Sequence, residues 1–235
     1  MRAEWYISSG CSGLFAVCQS SEMYALSDDE RLELAEFVAK QVDGRAAVVA
    51  TGNSGGGSIE EQAAFCNKIA PKVDAVVALT CMLAQEDEDE EVRAPWPRSP
   101  HPTPPHPVHL TRHPLAQVWK ANATKLMELT TCPLGLYEVP IPYKRVLSAD
   151  LLAWCAATGR FLFHKDTCCD KQLIADKIKA VQSLGEKAGN FRFYNANIET
   201  ICYSNSLGGA GFSGISGNFC EPIAAQSSRA NRARF

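Results

Sequence analysis

A short apolar run returns about every thirty residues along this chain, and an amphipathic stretch follows almost every one. The runs are Gly13–Cys18, Ala46–Thr51, Ala75–Thr80, Leu134–Val139, Phe161–Lys165, Phe191–Asn195 and Gly211–Ser216. Rich in Val, Phe and Leu, they read as strands buried on both faces. Between them, Ser27-Asp28-Asp29-Glu30 forms a capping box that opens a helix carrying Leu32, Ala35, Val38, Ala39 and Val42 on one side. Ser58-Ile59-Glu60-Glu61 opens a second, leading into Ala63, Cys66, Ile69 and Ala70. Leu151, Leu152 and Cys155 share a third helical face, and Leu173, Ile174, Lys177, Ile178 and Val181 a fourth. Repeated βα units require a parallel sheet, either doubly wound or closed into a barrel.

One interval breaks the beat. From residue 75 to residue 134 the spacing is about twice that of a βα unit, and this interval contains a segment of foreign composition. Residues 95–114 hold eight of the thirteen prolines, and residues 101–113 hold four of the five histidines. Proline at that density builds neither helix nor central strand. The histidines suggest metal, but their spacing is irregular and no carboxylate lies within the stretch. Val92 is encoded by GTN and Gln117 by CAA or CAG, with codons for Pro, His, Leu and Thr making a pyrimidine-rich run between them. Two explanations stand: a retained intron translated in frame, or a disordered surface insertion. Without residues 92–117 the chain would read Glu91-Val118-Trp119, and the long interval falls to 33 residues. Transcripts that uniformly keep the stretch would rule out the intron.

Composition narrows the class. The chain has 235 residues, 46% hydrophobic and 21% charged, with a net charge of −3. This is the profile of a globular protein rather than a nucleic-acid binder, which would need clustered Lys and Arg. No apolar run reaches the ~18–20 residues of a membrane span, and no signal sequence opens the chain. Ten cysteines, with no CxxC pair, read as buried thiols in a reducing compartment, hence the cytoplasm.

Seven strands fall one short of the eight of a TIM barrel. Twelve residues precede the first run, too few for another βα unit, and residues 221–235 read as a disordered tail. Without the insert 209 residues remain, against about 250 for a complete barrel. The expectation is a single-domain, incomplete (β/α)8 TIM barrel of about seven βα units, with its first strand and C-terminal helices missing. Such an open sheet exposes its edges.

In a barrel, functional residues gather where strands end. Those positions carry Ser20-Ser21-Glu22, Thr51-Gly52-Asn53, Thr80, Tyr137, Lys165 and Ser213. Lys165 is the most informative. It ends the apolar run Phe161-Leu162-Phe163-His164, where an ammonium is costly and the amine is pushed towards its neutral, nucleophilic form. A lysine that snorkels out or pairs with Asp166 would fit the same spacing.

Four blocks then point to a family. Phe15-Ala16-Val17-Cys18-Gln19-Ser20-Ser21-Glu22, with Leu26-Ser27-Asp28-Asp29-Glu30-Arg31, resembles the second strand and helix of the dihydrodipicolinate synthase / N-acetylneuraminate lyase family. Leu136-Tyr137-Glu138-Val139-Pro140 is similar to its Tyr-x-x-Pro strand, and Phe163-His164-Lys165-Asp166-Thr167 to its Schiff-base lysine strand. Leu207-Gly208-Gly209-Ala210-Gly211 is similar to the glycine-rich approach to its last strand. The resemblance covers roughly residues 8–91 and 118–220. It implies a class I aldolase-type lyase acting on pyruvate or another 2-oxo acid, with an aldehyde as second substrate. Lys165 would form the imine and Tyr137 would pass protons. Ser20 and Ser21 would grip the carboxylate, and the Ser213 carbonyl would lie near the imine. It implies no metal and no organic cofactor, and it allows a homo-oligomer.

The departures are specific. Cys18-Gln19-Ser20-Ser21-Glu22 stands where the synthase carries Gly-Thr-Thr-Gly-Glu. The arginine expected after Tyr-x-x-Pro falls at Pro142, with Lys144 and Arg145 as substitutes from other positions. The synthase's tyrosine pair corresponds to Met82 and Leu83. These losses speak against authentic dihydrodipicolinate synthase but leave an imine-forming core.

Other features carry less. Gly52-Asn53-Ser54-Gly55-Gly56-Gly57 lacks the Gly-Lys-Ser/Thr of a phosphate loop, which also weakens a doubly wound binding protein. Residues 86–91 read as a solvated acidic loop and helix start, and Asn122-Ala123-Thr124 is a glycosylation sequon by pattern only. Two readings remain: a Schiff-base lyase, or a non-catalytic, truncated or mis-spliced relative.

Overall fold

The structure, a computed structural model, describes residues 2–84 and 116–219. All seven expected strands form: β1 (Gly13–Val17), β2 (Ala47–Thr51), β3 (Ala75–Leu79), β4 (Leu134–Tyr137), β5 (Phe161–Asp166), β6 (Arg192–Asn195) and β7 (Gly211–Phe212). They make one sheet, every neighbouring pair parallel, in the order β1-β2-β3-β4-β5-β6-β7. Strand order that follows chain order, with helices between, is the winding of a barrel rather than of a doubly wound sheet. The sheet curls as an incomplete (β/α)8 barrel, with β1 and β7 at its edges among the described residues.

The helices are α1 (Arg2–Ser8), α2 (Asp28–Val42), α3 (Ile59–Ile69), α4 (Ala116–Leu129), α5 (Ala149–Ala157), α6 (Lys171–Gln182) and α7 (Ile201–Ser206). Both capping boxes form as their spacing requires. The Ser27 and Ser58 hydroxyls accept from the Glu30 and Glu61 amides, and each glutamate returns the bond. Helix α1 was not anticipated. It packs on α2, where Glu4 meets Arg45 at 2.8 Å, and the Tyr6 hydroxyl donates to Asn218 Oδ1 at 2.8 Å.

Helix α4 begins at Ala116, two residues inside the span 92–117; residues 85–115 and the tail 220–235 lie outside the described residues. The rest of α4, beyond Gln117, is firmly part of the fold. Trp119, Ala123 and Leu126 are fully buried, and the Trp119 indole donates to the Thr80 carbonyl at 2.8 Å. The sequon residue Asn122 spends its amide on the Leu83 carbonyl at 2.8 Å.

The core lies in two layers. Outward-facing strand residues such as Val48, Ala50, Val76 and Leu136 meet the helices, while Phe15, Phe163 and Tyr194 fill the concave side. Gly135 is required on that side, because a Cβ there would come within 2.2 Å of the Phe163 ring. None of the described cysteines forms a disulfide. Among the described residues no helix is long and apolar enough to cross a membrane.

Candidate active site

Strand alternation decides which side chains meet. Tyr137 and Lys165 are register partners at the ends of β4 and β5, so both point to the concave side. There the Lys165 Nζ lies 4.2 Å from the centroid of the Tyr137 ring and 5.1 Å from that of Phe15. The two rings meet edge to face at 5.7 Å. Both site residues are buried, Lys165 with 9% and Tyr137 with 5% of its surface exposed.

Among the described residues no carboxylate pairs with Lys165; Asp166 turns to the opposite face. Burial therefore acts on the amine with little opposition and pulls it down to about 8, while the nearby Cys18 works weakly the other way. The Tyr137 phenol moves up through burial, with the Cys18 and Cys81 thiols adding to the shift, and stays protonated at neutral pH. An amine with an enlarged neutral fraction beside a protonated phenol is suited to addition to a carbonyl followed by loss of water.

The turn after β1 covers one side of this pair. Gln19–Ser21 is one turn of 3-10 helix. The Ser21 hydroxyl accepts from the Cys18 amide at 2.8 Å and faces the Ala16 carbonyl at 2.8 Å and the Cys18 carbonyl at 3.0 Å. The Ser20 hydroxyl lies 3.1 Å from Cys18 Sγ. Ser213 follows β7 and donates its amide to the Asn195 carbonyl at 2.8 Å.

The other strand-end residues are largely structural. Asn53 bridges Gln62 and the Leu79 amide, and the Thr80 hydroxyl donates to the Arg145 carbonyl at 2.7 Å. Thr51, buried at the end of β2, has a hydroxyl without a partner. Lys144 reaches the Thr167 carbonyl, and the Arg145 Nε donates to the Tyr143 hydroxyl at 3.0 Å.

Sequence reasoning missed two groups. One is the Phe15–Cys18 wall beside the lysine, which had read simply as strand. The other lies on the outer face, where Glu138, His164, Asp166 and Lys177 are all completely buried. The Lys177 Nζ donates to Glu138 Oε1 and to Asp166 Oδ1, both at 2.6 Å. His164 Nε2 lies 3.1 Å from Glu138 Oε1, a charge contact without hydrogen-bond geometry, since neither ring nitrogen has a hydrogen-bond partner among the described residues. The three side chains Glu138, His164 and Asp166 are close enough together to hold a metal ion, but the Lys177 ammonium already bridges both carboxylates and would repel a cation there.

A cavity of about 620 Å³ opens at the other end of the concave side, between the strand starts Gly13, Ala47, Ala75 and Gly211. Lys165 and Tyr137 do not line it. The lysine and the phenol converge instead at the strand ends.

Fold and site together define an incomplete (β/α)8 barrel with a buried lysine on its concave face, paired with no carboxylate among the described residues. Residues 2–88 match the model of the dihydrodipicolinate synthetase family; Tyr137 and Lys165 lie beyond that match. The structure resembles dihydrodipicolinate synthase from Aquifex aeolicus, at 14% identity and a TM-score of 0.73, over 99% of this chain and 68% of that one. YagE, a prophage protein of the dihydrodipicolinic acid synthase family from E. coli K12 solved with pyruvate, aligns with a TM-score of 0.75 and 19% identity over the same shares. The chloride-inhibited synthase from Acinetobacter baumannii, also solved with pyruvate, gives 0.73 and 19% over 99% of this chain and 68% of that one. No curated protein matches the sequence. The family resemblance seen in the sequence is thus borne out in the fold and over residues 2–88.

Proposed function

We propose that this chain is a class I aldolase-type lyase that binds pyruvate or a related 2-oxo acid as an imine on Lys165. The observation that carries the proposal is the Lys165 amine, buried against the Tyr137 ring with no carboxylate among the described residues to hold its proton. The neutral amine attacks the keto carbon and gives a carbinolamine. Tyr137 donates a proton to the departing hydroxyl, water leaves, and the protonated imine withdraws electrons from the adjacent carbon. Loss of a proton there yields an enamine ready to add to an aldehyde. The reverse sequence cleaves the corresponding bond.

The carboxylate of the 2-oxo acid is assigned to the turn carrying Ser20 and Ser21. Ser20 offers a hydroxyl donor, while Ser21 shapes the turn through its bonds to Ala16 and Cys18. The Ser213 carbonyl is assigned to the imine side. Lys144 and Arg145 are the cations nearest in sequence to the Tyr-x-x-Pro strand for a carboxylate on the aldehyde. The scheme calls on no cofactor or metal, and its unbridged thiols suit the cytoplasm. A homo-oligomer is compatible with it.

A second reading, a non-catalytic truncated or mis-spliced relative, draws on the unpaired edges at β1 and β7. The proposal for residues 92–117 remains a retained intron or a surface insertion, to be settled on transcripts.

Borohydride trapping separates the two functional readings. The purified chain is incubated with pyruvate, reduced and weighed, with Lys165→Ala as control. A pyruvate-sized mass gain on the Lys165 peptide is expected. No gain in a protein that melts cooperatively removes the imine role. No gain in a protein without a cooperative melt favours the non-catalytic reading.

A further inference from the structure

The triplet His164-Lys165-Asp166 alternates across β5, so the residues flanking the concave-side lysine both enter the outer layer. On β4 the same step puts Glu138 outside directly after Tyr137. Three members of the outer cluster are therefore one peptide unit away from the imine pair, Glu138 from Tyr137 and His164 and Asp166 from Lys165, while Lys177 reaches them from α6. The bonds of the cluster converge on the backbone that carries the pair. Glu138 Oε1 accepts from the Leu147 amide at 2.8 Å, and Oε2 from the Thr167 amide at 3.1 Å. The Thr167 hydroxyl donates to the Glu138 carbonyl at 2.6 Å. Asp166 Oδ2 accepts from the Cys168 amide at 3.2 Å. Lys177, from α6, ties the two carboxylates together.

This arrangement needs a reason. Replacing a buried ion network by apolar side chains of equal volume is often neutral or favourable for stability, so net stabilisation does not explain it. What such a network does provide is one allowed geometry. Tyr137 is the last residue of β4 and Lys165 the last but one of β5. Beyond them the β4–β5 ladder continues through the Glu138 amide and the Lys165 carbonyl, at 3.3 Å, while on the other side of β5 the Ala196 amide donates to the Asp166 carbonyl at 2.9 Å. Strand ends would otherwise fray where a catalytic pair must be held within about 0.5 Å.

We propose that Glu138, His164, Asp166 and Lys177 are positioning residues for the imine site: they clamp the ends of β4 and β5 and so keep Lys165 packed against the Tyr137 ring. The clamp rests on the reading of Lys165 as the imine-forming residue, but its mechanical part does not. It holds the amine away from water whatever the substrate. Among the described residues, the titratable groups on the amine's side are Cys18 after β1, Tyr137 on β4 and Tyr194, the register partner of Lys165 on β6. Glu138, Asp166, His164, Lys177 and Cys168 lie on the far side of the strands.

The test uses Glu138→Gln, which keeps shape but removes a charge and an acceptor. Thr167→Val is the gentler variant and touches no buried charge. Two quantities are read on the full chain. The first is the pH midpoint for acylation of Lys165 by acetic anhydride, followed by peptide mass. The second is the rate of borohydride-trapped imine formation at saturating pyruvate. Glu138→Gln should raise the acylation midpoint by about one pH unit, because a loosened amine regains water. It should slow trapping about tenfold and leave the half-saturating pyruvate concentration within about twofold. Thr167→Val should move both quantities in the same direction by less.

Unchanged midpoints and rates in a cooperatively melting Glu138→Gln overturn the clamp. If that variant does not fold, unchanged values in Thr167→Val overturn it alone. A shifted midpoint in a chain that pyruvate never labels keeps the clamp and refutes the imine. Normal labelling with unmoved variants does the reverse.

Discussion

Lys165 and Lys177 are two buried lysines on opposite faces of the same pair of strands, and their environments drive them in opposite directions. Lys165 enters a wall of rings and thiols, and burial lowers its amine to about 8. Lys177 is still more deeply buried. Burial opposes its charge too, but the Asp166 and Glu138 carboxylates at 2.6 Å outweigh this and raise it above its ordinary value. Asp166 is held low in return: burial opposes its charge but loses to Lys177 and His164. Burial alone therefore does not make a lysine reactive. What separates the two is the counter-ion, and among the described residues the carboxylates at this strand pair lie on the outer face.

The largest effect follows from that difference. Lys165→Ala should abolish imine trapping, whereas Lys177→Met, if it folds, should retain some. In the unsubstituted chain the trapping rate should climb as pH rises through about 8, because only the neutral amine attacks. A rate flat from pH 6 to 9 would mean that the amine is already neutral, and would break the contrast between the two lysines.

Stability should respond with opposite signs. Lys177→Met leaves Glu138 and Asp166 buried without their ammonium and should cost about 3–5 kcal/mol in denaturant unfolding. Lys165→Met replaces a penalised cation by an apolar chain of similar length and should gain about 1–3 kcal/mol near neutral pH. The pH dependence sharpens this. For Lys165 the folded value lies below the unfolded one of about 10.4, so the unfolded chain binds more protons between about 8 and 10.4. That contribution makes stability rise with pH across the window. For Lys177 the folded value is raised, so its stabilisation is complete below about 10.4 and is lost only in stronger base. A Lys165→Met that unfolds more easily than its parent would show that the lysine is not penalised.

The two faces also differed in how well the sequence announced them. The apolar runs located all seven strands, because burial on both faces leaves an uninterrupted signal, and the capping boxes and helical faces located α2, α3, α5 and α6 but not α4 or α7. The concave pair was legible for a related reason: a lysine closing an apolar run stands out. The outer cluster was not. Lys177 fell on the apolar face of its helix and was counted there with Ile174 and Ile178, since periodicity reports that a position is inside but not what meets it. Sequence adjacency allows Asp166 to pair with Lys165, but alternation sends the two to opposite faces. Helix α1 escaped notice because seven residues give too few turns for a pattern.

The smallest effect concerns the turn at the mouth of the site. If Ser21 acts mainly by holding Gln19–Ser21 in place, Ser21→Ala leaves the Cys18 amide without its acceptor and should cost about 1–2 kcal/mol of stability. Half-saturating pyruvate should then rise only a few-fold, because the substrate loses the shape of the turn rather than a direct bond. Ser20→Ala should show the converse, little change in unfolding and a larger rise in half-saturation, since its hydroxyl meets only the weak thiol partner of Cys18. Equal effects from the two variants would put both hydroxyls on the carboxylate and make the turn part of the binding site rather than its frame.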